Sequence, residues 1–287
     1  MPAYPLSAVL WPAVITGLST SAGALPFLAI GAVSRRTYDT LLGLGAGLML
    51  AAATLGLLAA ALADVRVNDQ VDPVQLALVL GGLLAGVAVL YFMDRHIPHE
   101  HAGGHHVHVR DDGEGHHDGH AHAHDDAPDH GHGAEARTAR MQGLLVVGVM
   151  ALHRLPEGLA IGAAYAAGGS ALGLTLVVAV GVQNAVEGVV MAAPLRRGGL
   201  RGVALVGLVT ATGMAVPVAA VCGYYASSQV AGALPAILAL AAGALLYLTC
   251  NEVIPESHSH GNEVRATFGV VAGFVLIIVV QAVFGHH

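Results

Sequence analysis

His153 and Glu157 stand four positions apart in the run His153-Arg154-Leu155-Pro156-Glu157-Gly158. Gln183 and Glu187 repeat that spacing in Gln183-Asn184-Ala185-Val186-Glu187-Gly188. Imidazole, carboxylate and amide groups are all metal donors, and on a helix an i, i+4 pair shares one face, about 6 Å apart at Cβ. Two adjacent antiparallel helices would therefore offer His153, Glu157, Gln183 and Glu187 to one centre, a nitrogen and oxygen set that suits zinc or its neighbours. Glu252 and Glu256 have the same spacing in Asn251-Glu252-Val253-Ile254-Pro255-Glu256, and His258 and His260 follow. With Asn251 they form a row that reads as an exit path from the centre.

The elements that must position these residues are membrane helices. Only 11% of the 287 residues are charged, 55% are hydrophobic and the mean hydropathy is +0.67, against roughly 25% charged residues in soluble domains. Apolar runs of about 20 residues cross a bilayer, and those in this chain are too long and too little alternating for barrel strands. The expected fold class is an all-α membrane bundle of eight spans, at about 8–31, 39–63, 74–93, 141–165, 170–193, 201–223, 232–255 and 266–284. This divides the chain into spans one to three within 1–93, a hydrophilic loop at 94–140, and spans four to eight within 141–287.

Eight spans put both termini on one side. The chain has no lysine, and with the termini outside ten of its 12 basic residues fall in cytoplasmic loops, as the positive-inside bias requires. Met1 to Ala8 has no basic region of the signal-peptide kind, so the first helix is expected to insert uncleaved. Cys222 and Cys250 lie in or at the ends of apolar runs, where they are expected to pack helices rather than staple loops.

Charge at membrane depth needs a reason, because an Asp, Lys or Arg at a helix centre costs about 2.5 to 3.5 kcal/mol even on the mild insertion scale. Arg154 neutralised by Glu157 or Glu187 as packing glue would supply one, yet it leaves the repeated chelating pair unexplained. Pro156 has no N–H and crowds the carbonyl four residues back, so a kink is expected between His153 and Glu157. Gly158 and Gly188 would admit close helix contact.

The 94–140 loop holds 13 of the 18 histidines, among them His116, His117, His120, His122 and His124, with almost no large apolar residues. It cannot bury enough surface to fold alone. Neutral imidazoles bind zinc, copper and nickel, so the loop is expected to sequester or sense metal.

These residues resemble the ZIP (Zrt/Irt-like) metal transporters, bacterial members in particular, over essentially the whole chain. The family's fourth-span motif His-Asn-x-Pro-Glu-Gly is similar to His153 to Gly158, and its fifth-span counterpart is similar to Gln183 to Gly188, with Val186 where proline is common. The resemblance implies passage of metal into the cytoplasm, an inverted repeat of spans one to three and six to eight around spans four and five, and an elevator-like movement of spans one, four, five and six. Many members hold a second ion beside the first, using the fourth-span Asn, a fifth-span Asp or Asn, the shared glutamates and a sixth-span Glu. Those positions are Arg154, Asn184 and Val216 in this chain, so the second site is expected to be lost, with Arg154 as a permanent surrogate cation.

The expected function is uptake of Zn²⁺, with Cd²⁺, Fe²⁺ and Mn²⁺ as alternatives, by alternating access through one site, in a bacterial-type inner membrane. Metal ions and lipid are the expected partners, with a homodimer as the candidate assembly; no prosthetic group and no nucleic acid are called for. A diffusion-facilitator exporter would show Asp-rich spans and a folded cytoplasmic domain. An intramembrane zinc hydrolase would need an open coordination position and a base, and the His-Glu-x-x-His signature is absent. A non-transporting sensor, with Arg154 blocking the path, is the remaining alternative.

Overall fold

A computed structural model of the chain describes residues 4–30, 33–63, 65–67, 70–96, 148, 151–167, 170–197, 199–230 and 232–284. The loop histidines His116, His117, His120, His122 and His124 lie outside the described residues, as does most of the first half of span four. Among the described residues, seven helices are long and apolar enough to cross a membrane. Their large side chains face outward along their length, Trp11, Phe268 and Val203 among them, as a lipid-facing surface requires.

In chain order the helices are α1 (Leu6–Ala24), α2 (Arg35–Ala51), α3 (Ala59–Ala63), α4 (Pro73–His96), α5 (Leu155–Ala166), α6 (Ser170–Arg197), α7 (Gly202–Gly213), α8 (Ala215–Gln229), α9 (Ala233–Leu248), α10 (Ile254–His258) and α11 (Glu263–Phe284). Several run a turn past the apolar runs that announced them, because a helix continues to satisfy its own backbone beyond the hydrocarbon layer. A two-residue strand pair, Arg66–Val67 with Gln70–Val71, links α3 to α4.

The packing pairs the helices as an inverted repeat would require. α2 packs on α11 and α9 on α4, so span two meets span eight as span seven meets span three. α1 packs on α6 and α8 on α5, so spans one and six each cover one of the central pair. The two halves also share a defect: a π-helical stretch interrupts span two at Ala52–Leu58 and span seven at Thr249–Val253, each about 16 residues into its helix. In span seven the cause is local, since Pro255 has no N–H for the carbonyl of Asn251.

Glycine sets how closely the central helices approach. A Cβ on Gly23 would land on the carbonyl oxygen of Ala185, and one on Gly188 on that of Thr20, so α1 and α6 touch backbone to backbone. Gly158 and Gly162 do the same for α5 against Val216 and Ala220 of α8. These contacts bring span one and span six against the faces that carry the candidate ligands. Both cysteines are free and sit on the exposed face of their helices, so neither packs between helices as its apolar setting suggested.

Candidate metal centre

The chain breaks its helix at Arg154 (φ −84°, ψ −9°), and α5 restarts with Pro156 in its first turn. This is the kink expected of that proline. An equivalent break occurs at Met214 (φ −70°, ψ −8°), ahead of Pro217. Span six therefore crosses span four where both are bent, with the carbonyl of Val216 against Gly158.

Glu157, Gln183 and Glu187 meet. The Gln183 amide Nε2 donates to Glu157 Oε1 at 2.6 Å and to Glu187 Oε1 at 2.9 Å. Arg154 closes the group from the other side: its Nη2 pairs with Glu187 Oε2 at 3.0 Å and its Nη1 donates to Asn184 Oδ1. Arg154 is 1% exposed, Glu157 2%, Gln183 and Asn184 0%. A guanidinium this deep is tolerable because it is paired and bonded on several sides.

Thr16 and Met191, which sequence reasoning missed, complete this environment. Asn184 is itself oriented by donating Nδ2 to the backbone carbonyl of Thr16 in α1 at 3.0 Å. Met191, one further turn along α6 from Glu187, sets its sulfur 4.0 Å from Arg154 Nη2 and 3.8 Å from Thr212 Oγ1. A backbone carbonyl carries no sequence signal; the one signal for Met191 is its i, i+4 position after Glu187.

Two acceptor atoms in the group, Glu157 Oε2 and Gln183 Oε1, are buried without a hydrogen-bond partner. Buried acceptors are seldom left so, since the desolvation cost is about 1 to 3 kcal/mol each. Oxygens of a carboxylate and an amide facing inward beside a second carboxylate are the donor chemistry of a divalent cation.

His153, on the far side of the break, stands with Asp94 and Glu252. One ligand atom from each of these three lies within 4.8 Å of the other two, and they are the one such His/Cys/Asp/Glu trio among the described residues. The i, i+4 argument assumed a continuous helix through His153 and Glu157, and the turn at Arg154 interrupts it. Asp94, in the last turn of α4, also accepts from Asn251 Nδ2 at 3.2 Å. Sequence reasoning had placed it at the start of the loop; its only signal was an acid directly after an apolar run.

The rest of the expected exit row divides. His260 lies 4.0 Å from Glu256 and 3.1 Å from Asp39 of α2, while His258 turns away to Thr267 of α11, its Nε2 3.0 Å from the hydroxyl. All these groups sit at the end of the bundle where α4 and α6 finish and α2 begins. There Arg197 stacks over the Tyr38 ring, 5.1 Å from its centroid.

Comparison with known proteins adds an independent finding. The profile described as "ZIP Zinc transporter" matches residues 7–281. The chain is 35% identical over 281 residues to the zinc transporter GufA of Myxococcus xanthus, covering 98% of this chain and 100% of that protein. It is 35% identical to the zinc transporter ZIPB of Bordetella bronchiseptica over 93% of this chain and 78% of that one. The zinc transporter ZupT of Corynebacterium aurimucosum is 26% identical over 94% and 95%.

Proposed function

Because this chain belongs to the ZIP zinc transporter family, we propose that it takes Zn²⁺ up into the cytoplasm by alternating access through a single intramembrane site. Carriage of divalent metal across a membrane by an all-α, multi-pass protein follows from the membership itself, and so does a transporter rather than an enzyme. Direction, ion number and ligands are the proposal.

Glu157, Gln183, Glu187 and His153 form the transport site. The observation that carries this reading is the Arg154 guanidinium held between Asn184 and Glu187, two of the positions that the family pattern gives to a second ion. One positive charge fixed there leaves Glu157 and Glu187 with a net charge of −1 to offer the cargo. A single divalent ion then fills the place that Gln183 Nε2 bridges, with the unpartnered oxygens of Glu157 and Gln183 turned to it.

Asp94, His153 and Glu252 form the next station. His153 sits one residue from the helix break, placed to hand the ion from the glutamates to Asp94 and Glu252. Arginine placement supports a cytoplasmic position for this end of the bundle, with both termini outside. The histidine-rich loop between spans three and four then faces the cytoplasm, and a homodimer is the proposed assembly. Imidazole favours Zn²⁺, with Cd²⁺, Fe²⁺ and Mn²⁺ as weaker cargoes.

Flux into proteoliposomes tests the site. Glu157→Ala and Glu187→Ala should each remove most Zn²⁺ uptake at matched abundance, and near-normal flux in either would overturn the assignment.

A further inference from the structure

Apart from the centre and its inner station, one histidine among the described residues is prepared as a ligand. His260 Nδ1 lies 3.1 Å from Asp39 Oδ1, and Asn262 Nδ2 donates to the other carboxylate oxygen, Asp39 Oδ2, at 2.8 Å. Asp39 is fully buried. A carboxylate accepts and does not donate, so Nδ1 carries a proton, and in the neutral ring the lone pair is then on Nε2. That nitrogen faces Glu256, whose Oε1 is 4.0 Å away, while the side chains of His260 and Glu256 are 19% and 39% exposed. The distance is too long for a hydrogen bond. Two ligands on one tetrahedral zinc lie about 3.4 Å apart, which a small rotation of the half-exposed Glu256 supplies. A buried carboxylate that fixes the tautomer of a histidine whose other nitrogen points at a second donor is the arrangement that orients metal-bound imidazoles. The hydroxyl of Ser259 lies beside the same ring, 3.1 Å from Nδ1 and 3.5 Å from Nε2.

We propose that His260 Nε2 and the Glu256 carboxylate form a separate, low-affinity docking point for a divalent transition-metal ion at the mouth of the bundle, with Asp39 as its positioning residue. Two protein ligands and open solvent leave water in the remaining positions, so the ion is held weakly and released readily. Asn262 matters through Asp39: by occupying Oδ2 it commits Oδ1 to His260. The proposal rests on the reading of the chain as a metal carrier but uses none of the central ligands, so the two can fail separately.

Anomalous scattering from crystals of the full chain, soaked in stepped concentrations of Zn²⁺, resolves each site by position. A peak is expected about 2.0 to 2.2 Å from both His260 Nε2 and Glu256, half-filled at a higher concentration than the central site. His260→Ala should abolish it. Asp39→Asn should do nearly as much: Asn262 needs an acceptor, so the new amide turns its oxygen to Asn262 and its NH₂ to Nδ1, forcing the proton onto Nε2. The half-filling concentration should rise at least about 10- to 100-fold while the central peak keeps its own. Glu256→Gln, at a half-exposed position, gives a second route to the same loss without disturbing a buried group. A central peak with nothing at His260 and Glu256 at any concentration would overturn the docking point and leave the transport site standing; a mouth peak alone would do the reverse. If Asp39→Asn moved both sites equally, or neither, Asp39 would not be a positioning residue.

Discussion

Arg154→Asn removes the one buried cation of the centre and restores the residue that the family pattern carries there. In the metal-free protein, Glu187 loses its 3.0 Å ion pair and Asn184 its donor. Glu157 and Glu187 then share only the amide of Gln183. Removing one partner of a buried pair costs about 3 to 5 kcal/mol, and the variant should be less stable by that order without metal. Each ion bound to the folded state alone, at 100 times its dissociation constant, returns about 2.7 kcal/mol. If Arg154 stands where a second ion would go, the wild type gains about 2.7 kcal/mol from Zn²⁺ and the variant up to about twice that as its second position fills, so the metal narrows the gap between them by at most about 2.7 kcal/mol. Thermal unfolding in detergent with and without Zn²⁺ measures the difference, and anomalous scattering counts the ions. Val216 leaves the second position a ligand short, and its backbone already lies against Gly158 beside Glu157. Adding Val216→Glu should therefore raise the occupancy of the second ion further. Two adjacent metals in the unmodified protein would refute the reasoning, as would a variant that binds one ion and gains no more from it than the wild type.

His153→Ala should weaken Zn²⁺ uptake more than Mn²⁺ uptake, because manganese accepts all-oxygen sites and zinc prefers a nitrogen donor; competition between the two ions in proteoliposomes reads this out, and equal losses would argue against His153 as a ligand. Deleting residues 100–132 should leave folding and the maximal transport rate largely intact while altering metal supply at the inner mouth, measured as flux against internal metal load; abolished transport in a correctly inserted protein would make the loop part of the pathway. Gly23→Ala places a methyl on the carbonyl of Ala185, and overpacking of this kind costs about 1 to 3 kcal/mol. It should lower thermal stability and, by shifting α1, the Thr16 carbonyl that orients Asn184; unchanged unfolding and flux would show that the helix contact is softer than its geometry implies.

Much of this protein is fixed by local rules that a sequence displays. Lipid leaves the backbone no partner but itself, so apolar runs had to be helices, and the i, i+4 spacing had to put Gln183 and Glu187 on one face of α6, where the amide of Gln183 does reach Glu187. Proline chemistry announced the break beside Arg154, and the pattern of types announced that Arg154 faces a glutamate. What the sequence could not decide is which groups from distant segments converge once those helices bend. The turn at Arg154 separates His153 from the regular face of Glu157, and a π-helical stretch carries Glu252 to Asp94, 158 positions earlier in the chain. Thr16 serves through a carbonyl that every residue possesses, and Asp39 became visible as a partner of His260 only when α2 packed against the turn before α11. Such contacts depend on helix crossing distances set by glycine pairs and on backbone defects. Both are properties of packing between segments, and no local spacing encodes them.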